Sequence, residues 1–353
     1  MKKFLILLIV ILALFFLLNY VNSSKKPVLV QQPVQTQNSI TGEVKIIAEN
    51  LQIPWEILFL PGGEILITER PGNLVIIGKE RKTLKVSDVE AVGEGGLLGA
   101  ALHPNFPNNH FLYLYFTTRT DGRLENRVER FIFENEKLTD GKIITEGIAA
   151  AANHNGGRIA FGPDGYLYVA TGDAQNEKLA QDQNSLNGKI LRVKDDGSGL
   201  EIYSYGHRNV QGLAWDNEGR LWATEHGRSG IASGYDELNL IEKGKNYGWP
   251  VIEGDEEKEG MVSPVIQSGA SETWAPAGLA YFNGRLFFGG LRGETLYEYQ
   301  ISQKLLKRHL VRQFGRIRAV VLKDNNLYLT TSNTDGRGRV RDRDDKLIII
   351  GLD

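Results

Sequence analysis

Cysteine is absent from the 353-residue chain, which excludes disulfides, iron–sulfur clusters, thiolate zinc sites and cysteine nucleophiles. Methionine is scarce, at two residues. No charge excess exists either: 41 Lys+Arg against 43 Asp+Glu give a formal net charge of −2. A nucleic-acid binder relying on bulk charge is therefore excluded. Sustained helical periodicity is rare beyond the first segment, which argues against an α/β enzyme. What the chain has in quantity is glycine, 40 residues, above the roughly 7% average. With 41% apolar and 24% charged residues, the composition is that of a globular protein whose chain makes many tight turns. β structure is the expectation.

The longest apolar run lies at the start. Lys2 and Lys3 precede an unbroken stretch from Phe4 to Leu18, followed by Asn19-Tyr20-Val21-Asn22-Ser23-Ser24. A basic head and a run this short describe a secretory h-region rather than a comfortable membrane span. No A-x-A cleavage signal follows, so residues 1–23 read as either a signal peptide or an uncleaved membrane anchor. Both place the protein outside the cytoplasm: periplasmic, secreted, or tethered at the outer face of the membrane. Residues 24–40 are Gln/Pro/Val-rich without periodicity and read as a flexible tether. Residues 41–353 form the expected folded domain.

Within that domain one pattern recurs: an apolar strand, a turn bearing Gly, Asn or Asp, and a second alternating strand. The second strands are expected at Glu64–Thr68, Phe111–Phe116, Tyr166–Ala170, Arg220–Thr224, Arg285–Gly289 and Asn326–Thr330. Taking Ile65, Leu112, Leu167, Leu221, Leu286 and Leu327 as equivalent gives spacings of 41 to 65 residues, near the period of propeller blades. Six copies predict an all-β, six-bladed propeller of four-stranded antiparallel blades; a sandwich or barrel of generic hairpins is the alternative. Gly42–Leu51 and Lys346–Gly351 are both strand-like and are expected to share a blade, removing free sheet edges.

Chemistry-bearing residues cluster around these hairpins. Asn153-His154-Asn155-Gly156-Gly157-Arg158 precedes the third hairpin and Thr171-Gly172-Asp173 follows it. A tight hairpin returns the chain to its start, bringing Asp173 beside His154. A carboxylate there fixes the imidazole's tautomer and raises its basicity, as a general base requires; a purely structural His–Asp bond is the alternative. The fourth hairpin likewise gathers Arg208, Asn209 and His226, while Arg292 follows the fifth and Arg316 and Arg318 open the sixth. If blade ends converge at the axis, four arginines face one pocket, an arrangement suited to a multiply anionic ligand. Otherwise these are surface arginines paired with Asp342, Asp344 and Asp345. Asp236-Glu237 is read either as a calcium-binding contribution or as a solvated loop. Trp249 reads as packing, Arg337–Asp345 as a solvated charged loop, and His103, His110, His207 and His309 show no metal-ligand spacing.

At these residues the chain resembles the soluble PQQ-dependent glucose and aldose sugar dehydrogenases. The resemblance covers nearly everything after Gly42 and includes Gly93–Gly99, His103–Phe106, His154–Asp173, Gly206–Leu213, Asp236–Asn239, Asn246–Pro250, Trp274–Pro276 and Arg316–Arg318. It implies a six-bladed propeller that oxidises aldoses at C1 to lactones, passing hydride to PQQ and electrons to an external acceptor. It implies His154 as the base, oriented by Asp173, with Arg208 stabilising negative charge. Asn209, His226, Arg292, Arg316 and Arg318 join Arg208 as implied cofactor contacts. Glu94 and Asn153 fall with His154 in the sugar pocket, and the carbonyls of Gly227 and Arg228 at a Ca2+ site. His226, Arg228 and Arg292 stand where the glucose-oxidising branch has Gln, Pro and Lys. Glu94 and Asn153 stand where it has Gln and Asp, which favours the broader aldose branch. Expected partners are an aldose and an electron acceptor, with a monomer or homodimer as the assembly and no nucleic acid. The rival reading is a non-enzymatic propeller that binds carbohydrate or a protein. A metal-dependent lactonase would need converging acids where this sequence offers arginines.

Overall fold

Short alternating segments bounded by Gly-, Asn- and Asp-bearing turns become strands because one face of each can be buried. The computed structural model describes residues 40, 42–228 and 234–352. The expected leader, and the tether apart from Ile40, lie outside the described residues. Among the described residues, 24 strands form six four-stranded antiparallel sheets.

Blade 1 is β2 (Pro54–Phe59), β3 (Ile65–Glu69), β4 (Asn73–Ile77) and β5 (Arg81–Lys85). Blade 2 is β6 (Leu97–Leu102), β7 (Phe111–Thr120), β8 (Arg123–Glu134) and β9 (Lys137–Ala149). Blade 3 is β10 (Ile159–Phe161), β11 (Leu167–Ala170), β12 (Lys189–Val193) and β13 (Glu201–Tyr205). Blade 4 is β14 (Val210–Trp215), β15 (Leu221–Glu225), β16 (Glu237–Ile241) and β17 (Ile266–Gln267). Blade 5 is β18 (Pro276–Phe282), β19 (Arg285–Gly290), β20 (Thr295–Gln300) and β21 (Leu305–His309). Blade 6 is β22 (Ile317–Lys323), β23 (Asn326–Thr331), β24 (Leu347–Gly351) and, from the other end of the chain, β1 (Val44–Ala48).

The six predicted second strands are β3, β7, β11, β15, β19 and β23, each displaced by a residue or so at its ends; β7 runs on to Thr120. First strands pack around the centre: β2 against β6 and β22, β6 against β10, β18 against β14 and β22. The fold is a six-bladed β-propeller. Its core is divided accordingly, with one buried apolar cluster at each blade-to-blade interface. Between blades 2 and 3, for example, Tyr113 and Tyr115 meet Leu167 and Val169.

Two details of the sheets matter for the site. The first is closure: β1 pairs antiparallel with β24, Val44 opposite Ile350 and Ile46 opposite Ile348. The second is a register shift in the innermost strand of five blades, between Pro54/Glu56, Leu97/Ala100, Val210/Gly212, Pro276/Leu279 and Ile317/Val320. A bulge re-aims the side chain it carries. Trp55, Gln211 and Arg318 are bulge residues, and all three line the principal cavity.

Removing β1 strips β24 of its outer partner and exposes a sheet edge to other chains. A chain starting at Leu51 is expected to melt at least about 10 °C lower than one starting at Gly42 and to self-associate. Thermal denaturation with size-exclusion chromatography checks this; equal melting temperatures would show that closure contributes nothing.

Candidate active site

A cavity of about 380 Å³ is lined by bulge residues and by loops joining the blades. One wall carries His154. Its loop is pinned from within: Asn155 Nδ2 donates to Ala151 O at 2.7 Å, and Asn155 Oδ1 accepts from Ala151 N at 3.1 Å. Buried Tyr115 donates to Asn155 O at 2.7 Å. His154 itself has φ +63°, a left-handed conformation that costs a non-glycine residue about 1 kcal/mol or more. The backbone crossing behind it permits no side chain: a Cβ on Gly172 would lie 1.9 Å from His154 O. That close crossing brings Asp173 alongside.

His154 Nδ1 lies 2.8 Å from Asp173 Oδ1, and Arg208 Nη2 lies 2.9 Å from His154 Nε2. A guanidinium can only donate, so Nε2 is the acceptor and the neutral ring carries its proton on Nδ1, donating to Asp173. Asp173 is buried and accepts further bonds from Gln175 N at 2.9 Å and Trp249 Nε1 at 3.0 Å. Trp249, expected only to pack, thus holds the carboxylate that orients His154. Arg208 is fixed by its backbone N–H to Glu225 Oε1 and by Nη1 to His226 O at 3.3 Å. Burial lowers its pKa, against the pull of Asp173 and Glu225.

Among the described residues the cavity lining has five guanidiniums (Arg228, Arg292, Arg316, Arg318, Arg337) and two carboxylates, Glu94 and Asp236. Arg316 is held from three sides: Asp335 Oδ2 at 2.7 Å, Ser332 O at 3.1 Å and Leu291 O at 3.1 Å. Arg318 donates to Gln211 Oε1 at 2.7 Å, while its buried Nε has no hydrogen-bond partner among the described residues. Its pKa is lowered to about 9, by burial above all. Arg318 and Arg158 flank the Trp55 ring, at 5.6 and 4.3 Å from its centroid. Arg158 forms a buried ion pair with Glu56. His226 is neutral: burial lowers its pKa to about 4 despite Asp236 and Glu94, and its Nε2 has no partner among the described residues. A lining of surplus positive charge with unsatisfied buried nitrogens fits a polyanion.

Of the expected residues, Glu94, Asn153, His154, His226, Gly227, Arg228, Arg292, Arg316 and Arg318 share this lining. Arg208 stands just behind His154. Asn209 lies deeper, its side-chain oxygen accepting from Gly156 N at 3.0 Å and Gln211 Nε2 at 3.1 Å. The alternative pairing of these arginines with Asp342, Asp344 and Asp345 is not what forms. Asp345 is wholly buried and accepts from Thr331 Oγ1 and Asn333 N, and Asp335 is the partner of Arg316. The charged loop is therefore part of the site, and Arg337 reaches from it to Glu94 and to Asn153 Oδ1, the latter at 2.6 Å. Nor is Asp236 solvated. It accepts from Gly227 N at 2.9 Å, Thr273 Oγ1 at 2.7 Å, Trp274 N at 2.7 Å and Ala275 N at 2.9 Å, which leaves little capacity for a cation.

The sequence profile of the glucose/sorbosone dehydrogenases matches residues 51–342. The chain belongs to the glucose/sorbosone dehydrogenase family. Within that family it is 32% identical over 345 residues to the aldose sugar dehydrogenase of Escherichia coli K12, covering 84% of this chain and 91% of that protein. Quinoprotein glucose dehydrogenase B of Acinetobacter calcoaceticus is 31% identical over 274 residues, 65% of this chain and 56% of that protein. The PQQ-bound aldose sugar dehydrogenase of Streptomyces coelicolor has the same fold with a TM-score of 0.81 at 38% identity, covering 89% of this chain and 99% of that one.

Sequence reading of this glucose/sorbosone dehydrogenase family member missed Trp55, Arg158, Asp335 and Arg337. Asp335 gives the clearest test of the arginine wall. Burial pushes its pKa up, but Arg316 and the Arg337 N–H outweigh this and hold it below 3.8. Its contribution to stability is thus present above pH 3.8 and lost as pH falls through the lower folded value. Asp335→Asn is expected to destabilise the apo-protein by about 3 kcal/mol at pH 7, with the gap to wild type narrowing below pH 3.8. Urea denaturation across that range decides it; a pH-independent gap would remove the ion pair as the cause.

Proposed function

We propose that this protein is an exported PQQ-dependent dehydrogenase that oxidises aldoses at C1 to lactones and passes electrons to an external acceptor. One observation carries the reading: a neutral imidazole, backed by a buried carboxylate, stands on the wall of a cationic cavity. PQQ carries three carboxylates on a flat quinone, and Arg292, Arg316 and Arg318 bring three guanidiniums to the same lining. The cavity, about 380 Å³, falls in the size range of small-ligand sites. Arg292, Arg316, Arg318, His226, Arg208 and Asn209 are the residues assigned to hold the cofactor. The unpartnered Nε–H of Arg318 is a natural donor to it, and the unpartnered Nε2 of His226 borders the same space.

When bound, PQQ supplies the two-electron acceptor for the hydride that leaves C1. The rest belongs to the chain. Once Arg208 has released the Nε2 lone pair, His154 Nε2 takes the proton of the anomeric hydroxyl, so that C1 closes to a carbonyl as its hydride departs. Asp173 keeps Nδ1 protonated and stabilises the imidazolium that forms. Arg208, which donates to His154 Nε2 at 2.9 Å, is assigned to turn to the cofactor, where it would stabilise negative charge developing on the quinone oxygens. Glu94 and Asn153 border the same space and are assigned to the sugar's hydroxyls.

Ca2+ is assigned to the carbonyls of Gly227 and Arg228. The turn there is rich in neutral oxygens: a Cβ on Gly227 would lie 2.2 Å from Gly234 O and 2.3 Å from Tyr235 O. Such donors suit a hard cation, whose role would be to polarise the quinone. Arg228's charge is directed away, to Glu253 Oε2 at 3.1 Å. Export rests on the basic-apolar leader. Among the described residues no helix is long and apolar enough to cross a membrane.

Purified protein loaded with PQQ and calcium is expected to reduce an artificial electron-accepting dye with several aldoses; no reduction with any of them rejects the reading. His154→Ala is expected to lower kcat at least about 100-fold while PQQ binding, followed by absorbance, stays within about threefold. Undiminished turnover would remove His154 from the role of base.

A further inference from the structure

We propose that Arg337 is a specificity-determining residue, clamping the Glu94 carboxylate and the Asn153 amide across the cavity so that both present fixed acceptors to a neutral sugar. The proposal rests on the aldose reading above and deepens it. Arg337 Nη1 is bonded to Glu94 Oε1, and Nη2 to Asn153 Oδ1 at 2.6 Å. Glu94 Oε2 accepts the backbone N–H of His154 at 2.9 Å. One side chain thus connects sugar-side residues from two loops and, through Glu94, the backbone of the base.

The loop that delivers Arg337 is itself braced. Asp335 Oδ1 accepts Arg337 N at 2.9 Å, and Asp335 Oδ2 holds Arg316 at 2.7 Å. Asp344 Oδ2 accepts Asn333 Nδ2 at 3.0 Å and Arg341 N at 2.7 Å. The stretch Asp335–Arg337 therefore sets the cofactor-side and sugar-side walls relative to each other.

Glu94 faces Arg337, His226, Arg70, Arg208 and Arg318. Burial pushes its pKa up, but the bond and charge of Arg337, aided by the His154 N–H, hold it at about 2. It is an acceptor at any working pH, favouring hydroxyl donors and disfavouring sugar carboxylates.

Arg337→Gln and Arg337→Lys, loaded with PQQ, test this. The Gln variant is expected to bind PQQ like wild type and to raise KM for neutral aldoses about tenfold with kcat within about threefold; Lys should restore part of the loss. In the apo-protein, the Gln variant should be less stable than wild type at neutral pH. That gap should close as pH falls from about 4.5 towards 2, because Glu94's stabilisation is lost there. Unchanged KM in an active enzyme, lost PQQ binding, or a gap constant with pH overturns the proposal. If wild type oxidises no aldose, the dehydrogenase reading falls instead, and the acid-range comparison still reads the clamp.

Discussion

Gathering guanidinium groups around one small cavity is the constraint on which this structure depends. Each charge withdrawn from water is destabilising unless something answers it. Asp335 answers Arg316, Glu253 answers Arg228, Glu94 answers Arg337 and, beneath the floor, Glu56 answers Arg158. Arg318 is met by an amide, and its Nε has no partner among the described residues. Arg318, buried beside Trp55, thus feels the repulsion of Arg316 with an amide rather than an acid bonded to it. An anionic occupant relieves that repulsion, and a ligand binding only the folded state stabilises it by mass action.

The scaffold delivers these groups by two devices. Irregular inner strands turn Trp55, Gln211 and Arg318 into the cavity, where a regular pleat would alternate them between faces. Close backbone crossings do the rest: Gly172 passes under His154 O, so that Asp173 arrives beside the imidazole. The carboxylate, imidazole and guanidinium of Asp173, His154 and Arg208 then form a chain of contacts with each member fixed by backbone or buried side-chain bonds.

The hairpins were legible because alternation and turn chemistry are local signals, and blade closure because two strand-like ends were left to pair. The approach of Asp173 to His154 followed from hairpin geometry alone. The family resemblance then supplied roles for Glu94, Asn153 and His226 that composition and spacing do not carry. Asp335 and Arg337 were illegible for a physical reason. They sit in a stretch of alternating charge that reads like any solvated loop, and Arg337 meets partners 243 and 184 residues away in the chain. Trp55 escaped notice because it sits inside an apolar strand, where only the bulge reveals its direction. Trp249 looked like packing because its indole N–H finds Asp173 across 76 residues.

Closing blade 6 with β1 and β24 also orders events in time. A polypeptide that emerges amino-terminus first presents Val44–Ala48 long before Leu347–Gly351 exists to receive it. The ring cannot be sealed until Leu347–Gly351 has been made, and contacts of such sequence separation form slowly. Until that stretch is made the propeller stays an open arc, however many of its blades have already formed.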